Sequence, residues 1–370
     1  MAKKTFKFRL YPNRQQRERL SATLDVCREL YNAGLRERIE AWKCRTPVRV
    51  FDQINQLPDI KAIRPDVAAV FSQVLQDTLR RLDKTYQAFF GRVQRGQKAG
   101  FPRFQGCNRY DSFTYPQSGF ALGAKLQLSK IGNIKIKQHR DIEGQIKTLT
   151  VRREAGCWYA CFSVEYQPTR LPHNSYSIGI DVGLEAFATL SNGKRIENHR
   201  YYKAAQAKLR RAQRKVARRQ NKKSQRRGKA ILLLQKAHRH VANQRKDFQH
   251  KWSYRLVQSF GMIAVEDLNI KGLSAGILAK AVHDVGWSSF LTMLAYKAEN
   301  AGRQVVKVDP KNTSQECPNC HALEKKSLME RVHRCLCGLT IGRDHAAALV
   351  ILGRGLRLQA QTDRHFATVA

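Results

Sequence analysis

Two cysteine pairs near the C-terminal end constrain this chain more tightly than any other feature. Cys317-Pro318-Asn319-Cys320 and Cys335-Leu336-Cys337-Gly338 place four thiols within 21 residues, with 14 residues between the pairs. That spacing lets Cys317, Cys320, Cys335 and Cys337 close tetrahedrally on one Zn²⁺, so a ribbon over 314–340 is expected to fold around its metal. Four protein ligands leave no open position, which makes the zinc structural. The second pair encloses one residue where such knuckles usually enclose two, and His321 or His333 could serve as a replacement ligand. The other five cysteines (Cys27, Cys44, Cys107, Cys157, Cys161) are scattered among apolar neighbours and read as buried thiols, not as a secreted disulfide framework.

The ribbon is a small part of a 370-residue chain in which 68 Lys+Arg face 29 Asp+Glu, a formal charge of +39. Such a surplus repels itself unless a polyanion neutralises it. With 42% hydrophobic residues the chain can still build cores, which excludes a disordered basic tail and makes nucleic acid the first expected partner. The length implies two or three domains. No window of 18 or more apolar residues occurs, and the N-terminus lacks the apolar core of a signal peptide. The expectation is a soluble, cytoplasmic, nucleoid-associated protein with no membrane partner.

Residues 5–11 alternate Phe6, Phe8 and Leu10 against Lys7 and Arg9, a strand pattern that Pro12-Asn13 breaks and caps. Leu20, Leu24, Cys27, Tyr31 and Leu35, then Val67, Val70, Val74, Leu75, Leu79, Leu82, Tyr86 and Phe89, recur at helical spacing. Short alternating runs at 125–128, 131–137, 146–152 and 158–166, punctuated by glycine, predict a small antiparallel sheet or barrel that the N-terminal strand joins. A linker at 167–174 follows. Residues 177–189 form an apolar run, Asn192-Gly193 stands at a hairpin turn, and 194–199 returns. From Lys203 to Lys251, 18 Lys/Arg face one acid, Asp247, with helical spacing on both sides of Gly228. This predicts a basic helical hairpin. A strand at 262–265, a helix at about 286–301 ended by Gly302, a strand at 305–308 and a helix at about 345–353 complete the pattern. Residues 357–370 show none and are expected to be a disordered tail.

Three acids stand out by their setting. Asp181 ends Ile178-Gly179-Ile180, Glu266 ends Met262-Ile263-Ala264-Val265, and Asp344 opens the helix beginning His345-Ala346-Ala347-Ala348. Taken singly, Asp181 could begin a turn, Glu266 could pair with a base, and Asp344 could be an N-cap. Their order is the one by which RNase H-like nucleases gather metal-binding acids: strand with Asp, hairpin return, later strand ending in Glu, helix beginning with Asp. Converging carboxylates need cations between them, and hard oxygen ligands select Mg²⁺ or Mn²⁺. Two such ions about 4 Å apart would activate water for phosphodiester cleavage, and on this reading all three acids are catalytic.

The runs Arg210-Arg211, Arg218-Arg219, Lys222-Lys223 and Arg226-Arg227 are dense and of one sign, as phosphate contacts require, so binding should fall steeply with salt. Tyr110, Phe113 and Tyr115, near Arg103 and Arg109, could stack on bases, although aromatics in a sheet are more often core. His238 and His240 extend the basic face.

The segments FKFRLYPN, LQDTLRRLDKTYQAFF, GFPRF, GIDVGL, RKDFQHK, VEDL, GW followed by YKA, SQECPNC and CGLTIGRDHAAA carry a resemblance over about residues 4–356. Together they resemble TnpB, the RNA-guided nuclease family of bacterial insertion sequences related to type V CRISPR effectors. The resemblance implies a two-lobed, multidomain α+β and α/β fold. An N-terminal β-barrel wedge domain (1–13 and 100–170) would carry an inserted helical recognition domain (14–99). A RuvC-type, RNase H-like nuclease domain (171–356) would carry the basic hairpin (203–251) and the zinc-ribbon insert (314–340), followed by the tail (357–370). It further implies that Asp181, Glu266 and Asp344 are the nuclease acids, and that a guide RNA derived from the element's end pairs with double-stranded target DNA beside a short motif. Gln76 matches a position the family uses near that motif, with Ser112 and Thr114 as further candidates. A separate transposase encoded by the same element is a further implied partner. Two readings from other classes stand beside this one: a nuclease-inactive RNA-guided repressor, against which three intact acids argue, and a guide-free resolvase or transposase.

Overall fold

Alternation of Phe6, Phe8 and Leu10, all nearly fully buried, against exposed lysine makes a strand, β1 (Ala2–Tyr11). The computed structural model describes residues 1–107, 109–221, 224–273, 275–276, 278–327 and 330–369, with side chains for all of these except 271 and 362–369. It divides into two units, Met1–Gln167 and Pro168–Ala370.

In the first unit, Asn13 caps α1 (Arg14–Lys43) in a reciprocal box: its Oδ1 accepts from Gln16 N at 2.8 Å, and Gln16 Oε1 accepts from Asn13 N at 3.0 Å. Three short helices follow, α2 (Val50–Asn55), α3 (Leu57–Ile63) and α4 (Pro65–Ala68), and then α5 (Ser72–Gln94), which buries Val74, Leu75, Leu79 and Leu82. The remaining strands are β2 (Ser112–Tyr115), β3 (Phe120–Leu122), β4 (Lys125–Leu128), β5 (Gly132–Lys137), β6 (Gln145–Glu154) and β7 (Cys157–Tyr166). They form one antiparallel sheet in the order β2-β6-β7-β1-β5-β4-β3. The edge strands β2 and β3 are consecutive in sequence, and Tyr115 on one meets Phe120 on the other at 6.3 Å. The sheet therefore curls into a nearly closed barrel.

Of the two readings of the sheet aromatics the core one holds, and the reading of the scattered cysteines is corrected in part. Phe113 and Tyr115 are 1% exposed and Tyr110 packs against the same core, so none of the three is placed to stack on a base. The curled sheet turns these rings inward, where burial stabilises them more than solvent contact would. Of the scattered cysteines, Cys27 and Cys157 are buried, but Cys44 and Cys107 are exposed because they fall in the segments that end α1 and precede β2.

The second unit contains β8 (Ser177–Val182), β9 (Ala186–Leu190) and β10 (Arg195–Glu197), then α6 (Tyr201–Ala217), α7 (Gln225–Ser259) and β11 (Met262–Glu266). There follow α8 (Ile270–Leu273), α9 (Ala279–Val285), α10 (Trp287–Ala301), β12 (Gln304–Val308), β13 (Val332–Arg334), β14 (Thr340–Gly342) and α11 (Arg343–Val369). The sheet order is β10-β9-β8-β11-β12, with β8, β11 and β12 parallel and β9 antiparallel to its neighbours. Period-two alternation divides its faces. Ile178, Ile180, Ile263 and Val265 meet residues of α7 and α10, among them Leu256, Phe290 and Leu294, while Met262 and Ala264 meet Ile351 of α11. That second face is close-packed through glycine: a Cβ on Gly179 would lie 2.1 Å from the Ala348 carbonyl oxygen, and one on Gly355 would lie 2.5 Å from Ala264 Cβ.

Three further expectations change. The apolar run 177–189 is two strands, because Gly183 and its neighbours turn the chain between β8 and β9. In the basic hairpin α6 ends at Ala217 and α7 begins at Gln225, so Gly228 lies inside the first turns of α7. Residues 357–369 continue α11; they contain no proline, and Gly353 and Gly355 had diluted the helical pattern although Gly355 serves helix–sheet contact. Gly302, at φ 68°, ends α10 in the left-handed conformation. Among the described residues, no helix is long and apolar enough to cross a membrane.

Gly179→Ala is expected to destabilise the second unit by about 1–3 kcal/mol, because helix backbone and not a flexible side chain occupies the space. Gly228→Ala, which meets nothing within 4 Å, should instead stabilise it by about 0.4–1 kcal/mol. Thermal melting followed by calorimetry checks both signs.

Candidate active site and metal centre

Parallel pairing of Ile178 with Ile263 and of Ile180 with Val265 brings Asp181 and Glu266 to the ends of adjacent strands. By strand alternation both belong to the face that α11 covers, one step beyond Gly179 and Ala264. Seating α11 on those positions sets its first turn, with Asp344, toward the same strand ends, and His345 reaches Ser191 O at 3.1 Å. Asp181 therefore feels the charge of both other acids. Burial, then the charges of Glu266 and Asp344, push the Asp181 carboxyl well above its ordinary range, with Arg343 offsetting part of the rise. Burial likewise raises Glu266, against a hydrogen bond from Thr313 and the positive charge of Arg354.

Thr313 and Arg354 contact or influence the candidate site, and sequence reasoning missed both. Thr313 Oγ1 donates to Glu266 Oε1 and also lies 3.2 Å from Pro310 O. Arg354 clamps the same loop, donating to the carbonyls of Asp309 at 2.7 Å and Lys311 at 2.8 Å and to the carboxylate of Glu316. Beside Asp344 a groove of about 110 Å³ is lined by Arg195, Arg331 and Arg343, the first two paired with Glu185 in the same wall at 3.1 and 3.6 Å. Neither Thr313 nor Arg354 belongs to a recognisable run. Only proximity in space marks them.

In the ribbon, the sulfurs of Cys317, Cys320, Cys335 and Cys337 all lie within 4.8 Å of one another, with Cys317–Cys337 at 3.6 Å and Cys320–Cys335 at 3.4 Å. A ZnS₄ tetrahedron has edges of about 3.8 Å, so this donor set fits zinc. The Leu339 backbone N–H and the Asn319 amide lower the Cys337 thiol to about 6, while the coupled Cys335 thiol is raised, the hydrogen bond from the Cys337 backbone being outweighed by those with the neighbouring sulfurs. Neither candidate replacement ligand joins the set. His321 Nδ1 is engaged by Glu316 at 2.9 Å, and His333 is buried against Lys326. Among the described residues this is the one group of three or more His, Cys, Asp or Glu side chains gathered tightly enough for a single ion.

On the basic hairpin, Arg210, Arg211, Arg218 and Arg226 are exposed. Arg219 and Arg227 are half-buried and have structural work: Arg219 Nη1 donates to Lys215 O at 2.7 Å, and Arg227 Nη1 donates to the carbonyls of Val216 and Arg219, closing the turn. Lys222 and Lys223 lie outside the described residues. Asp284 on α9 caps the start of α6, accepting from Tyr202 N at 2.8 Å and Lys203 N at 3.2 Å, and pairs with Arg245 on α7 at 3.1 Å. It thereby fixes both arms of the hairpin. In the first unit Gln76 is half-buried on α5, while Arg81 donates to Ser112 O at 2.8 Å and to Thr114 Oγ1, which also bonds Thr150 at 2.8 Å.

Comparison with known proteins adds independent findings. A family profile described as "Probable transposase" matches residues 161–275, one described as "Cas12f1-like, TNB domain" matches 287–351, and one described as "Helix-turn-helix domain" matches 1–46. Over the last range the chain forms β1 and the unbroken α1. A "Putative RNA-guided DNA endonuclease" of Streptomyces pristinaespiralis is 32% identical over 375 residues, covering 98% of this chain and 91% of that protein. "Putative RNA-guided DNA endonuclease InsQ" of Escherichia coli (strain K12) is 30% identical over 375 residues, covering 95% and 92%. The solved Cas12f1–sgRNA–target DNA complex aligns over 95% of this chain and 98% of that one with a TM-score of 0.56 and 14% identity, a likeness of fold.

A raised folded-state carboxyl contributes stability below the unfolded value of about 3.9 and loses it as pH rises through the folded value. Asp181→Asn is therefore expected to raise the melting temperature of metal-free protein at about pH 8, to leave it unchanged at about pH 4, and to abolish any added stabilisation by Mg²⁺. Calorimetry in chelator checks the sign. Native mass spectrometry should find one zinc per chain, retained in His321→Ala and lost in Cys335→Ser; zinc loss in the histidine variant would refute an all-cysteine centre.

Proposed function

Because the chain belongs to the TnpB family, we propose that it acts as an RNA-guided DNA endonuclease that binds a guide RNA and hydrolyses phosphodiester bonds of target DNA beside a short motif. One observation carries the catalytic part: Asp181 is electrostatically coupled to both Glu266 and Asp344 at the ends of adjacent parallel strands. The three carboxylates would hold Mg²⁺ or Mn²⁺, two ions that when bound activate water and stabilise the leaving oxygen. Thr313 holds Glu266 in place, and Arg343 offsets the negative charge around Asp181. The four cysteines hold one structural zinc and take no part in the chemistry.

In this reading the first unit supplies the wedge barrel and recognition helices, with Gln76, Ser112 and Thr114 on the side that meets the target-adjacent motif. Arg210, Arg211, Arg218 and Arg226 hold nucleic-acid phosphates, joined by Lys222 and Lys223. The guide derives from the end of the mobile element, the target is double-stranded DNA, and the element can encode a separate transposase. The protein works at the nucleoid. A repressor reading lacks support because all three acids are intact, and against a guide-free transposase reading, which the name of the profile over 161–275 would favour, stand the two relatives matched over nearly the whole chain, both named RNA-guided DNA endonucleases.

The test is cleavage of labelled duplex DNA by protein co-expressed with its element-end RNA. Asp181→Ala, Glu266→Ala or Asp344→Ala is expected to reduce cutting at least about 10³-fold while RNA retention is kept. Thr313→Val should slow cutting about 10-fold, with Thr313→Ser close to wild type. A stable RNA–DNA complex with no cutting in Mg²⁺ supports the repressor reading; cutting that survives RNase treatment of the apo preparation supports the guide-free one.

A further inference from the structure

Four aromatic rings form a closed array at the C-terminal end of α5. Tyr86 lies 6.2 Å from Phe90 and 5.7 Å from Phe101, and Phe89 lies 5.2 Å from Phe90 and 5.4 Å from Phe101, centroid to centroid. Such packing belongs in a core, yet Phe90 is 51% exposed, Phe101 48%, and Phe104, in the same loop, 51%. The array is held in place. The loop after α5 folds back and is pinned to α1 by a reciprocal pair, Asn32 Nδ2 donating to Gln105 O at 3.0 Å and Gln105 N to Asn32 Oδ1 at 2.7 Å.

The charges around it have one sign. From Lys84 to Arg109 there are six cations, Lys84, Arg92, Arg95, Lys98, Arg103 and Arg109, and no acid. The flanking acids are taken up elsewhere: Asp77 pairs with Arg81, Asp83 with Arg38 and Asp111 with Arg152. A ligand that offers flat apolar faces and dense negative charge together is a nucleic-acid strand with unpaired bases. A duplex hides its faces in the stack. A second copy of this chain, itself at +39, would be repelled.

We propose that Phe90 and Phe101, backed by Phe89 and by Tyr86, which itself packs against Leu35 and Leu82 and carries Arg38 over its ring, form a stacking platform for unpaired RNA nucleotides, with the surrounding lysines and arginines on their phosphates. The platform rests on the guide-binding reading above and adds to it the site where non-helical guide segments are gripped. The rings lose little conformational freedom on binding because the fold has already ordered them.

Anisotropy with a labelled single-stranded oligouridine RNA tests the platform. The Phe90→Ala/Phe101→Ala chain is expected to bind about 10-fold more weakly or worse, given about 1–3 kcal/mol per stacked base, with the salt slope unchanged. Phe90→Tyr/Phe101→Tyr should restore binding, and a blunt RNA duplex of equal length should be bound alike by all three. In a chain whose packing is untouched, Phe90→Trp should show fluorescence quenched by the same RNA. Binding by the alanine variant within twofold of wild type, an equal loss on the duplex, or an effect confined to self-association or to anionic phosphatidylglycerol vesicles would overturn the platform. A wild-type chain that binds no RNA would instead overturn guide binding itself, which separates the two failures.

Discussion

The second unit depends on how closely one helix can approach one sheet. Backbone-to-backbone contact between α11 and β8, possible only because position 179 carries no side chain, fixes where the helix begins. Gly355 extends the same contact along β11. The strands supply Asp181 and Glu266 through their parallel register, and the helix supplies Asp344 through its seating. Asp181 thus feels two other acids from distant parts of the chain because apolar and backbone surfaces are complementary, and their repulsion opposes the arrangement. Close helix–sheet packing on one face of the sheet stabilises what electrostatics alone would disperse.

A second constraint is the distribution of positive charge. The hairpin arms α6 and α7 carry arginines that few acids answer, so their attachment cannot rest on surface ion pairs. It rests on Asp284, whose side chain is 8% exposed and which satisfies the first amides of α6 while pairing with Arg245 of α7. One carboxylate therefore orients both arms, and the exposed guanidiniums stay free for a polyanion.

How much of this was legible in the residues follows from their chemistry. Asp181 and Glu266 were visible because each ends an apolar strand run, and Asp344 because it opens a helix; an ionisable group in such company needs a reason. The cysteine centre was visible from spacing alone. For Phe113 and Tyr115 core and base-stacking readings both stood, because alternation tells that a strand has two faces but not which one a curling sheet will enclose, and the core reading holds. Thr313 stayed hidden because a lone threonine in a loop has no pattern, and its partner is 47 residues away. The continuation of α11 past 356 stayed hidden because its glycines read as breakers when one of them is a contact point.

The zinc ribbon's placement in the chain has its own consequence. It is spliced between the loop that carries Thr313 and the helix that carries Asp344, and Arg354 bolts its root at Glu316 to that same loop. The ribbon therefore spans the stretch of chain between Thr313 and Asp344. Loosening its four-cysteine knot would slacken that stretch at both ends at once, at the hydrogen-bond partner of Glu266 and at the opening of α11.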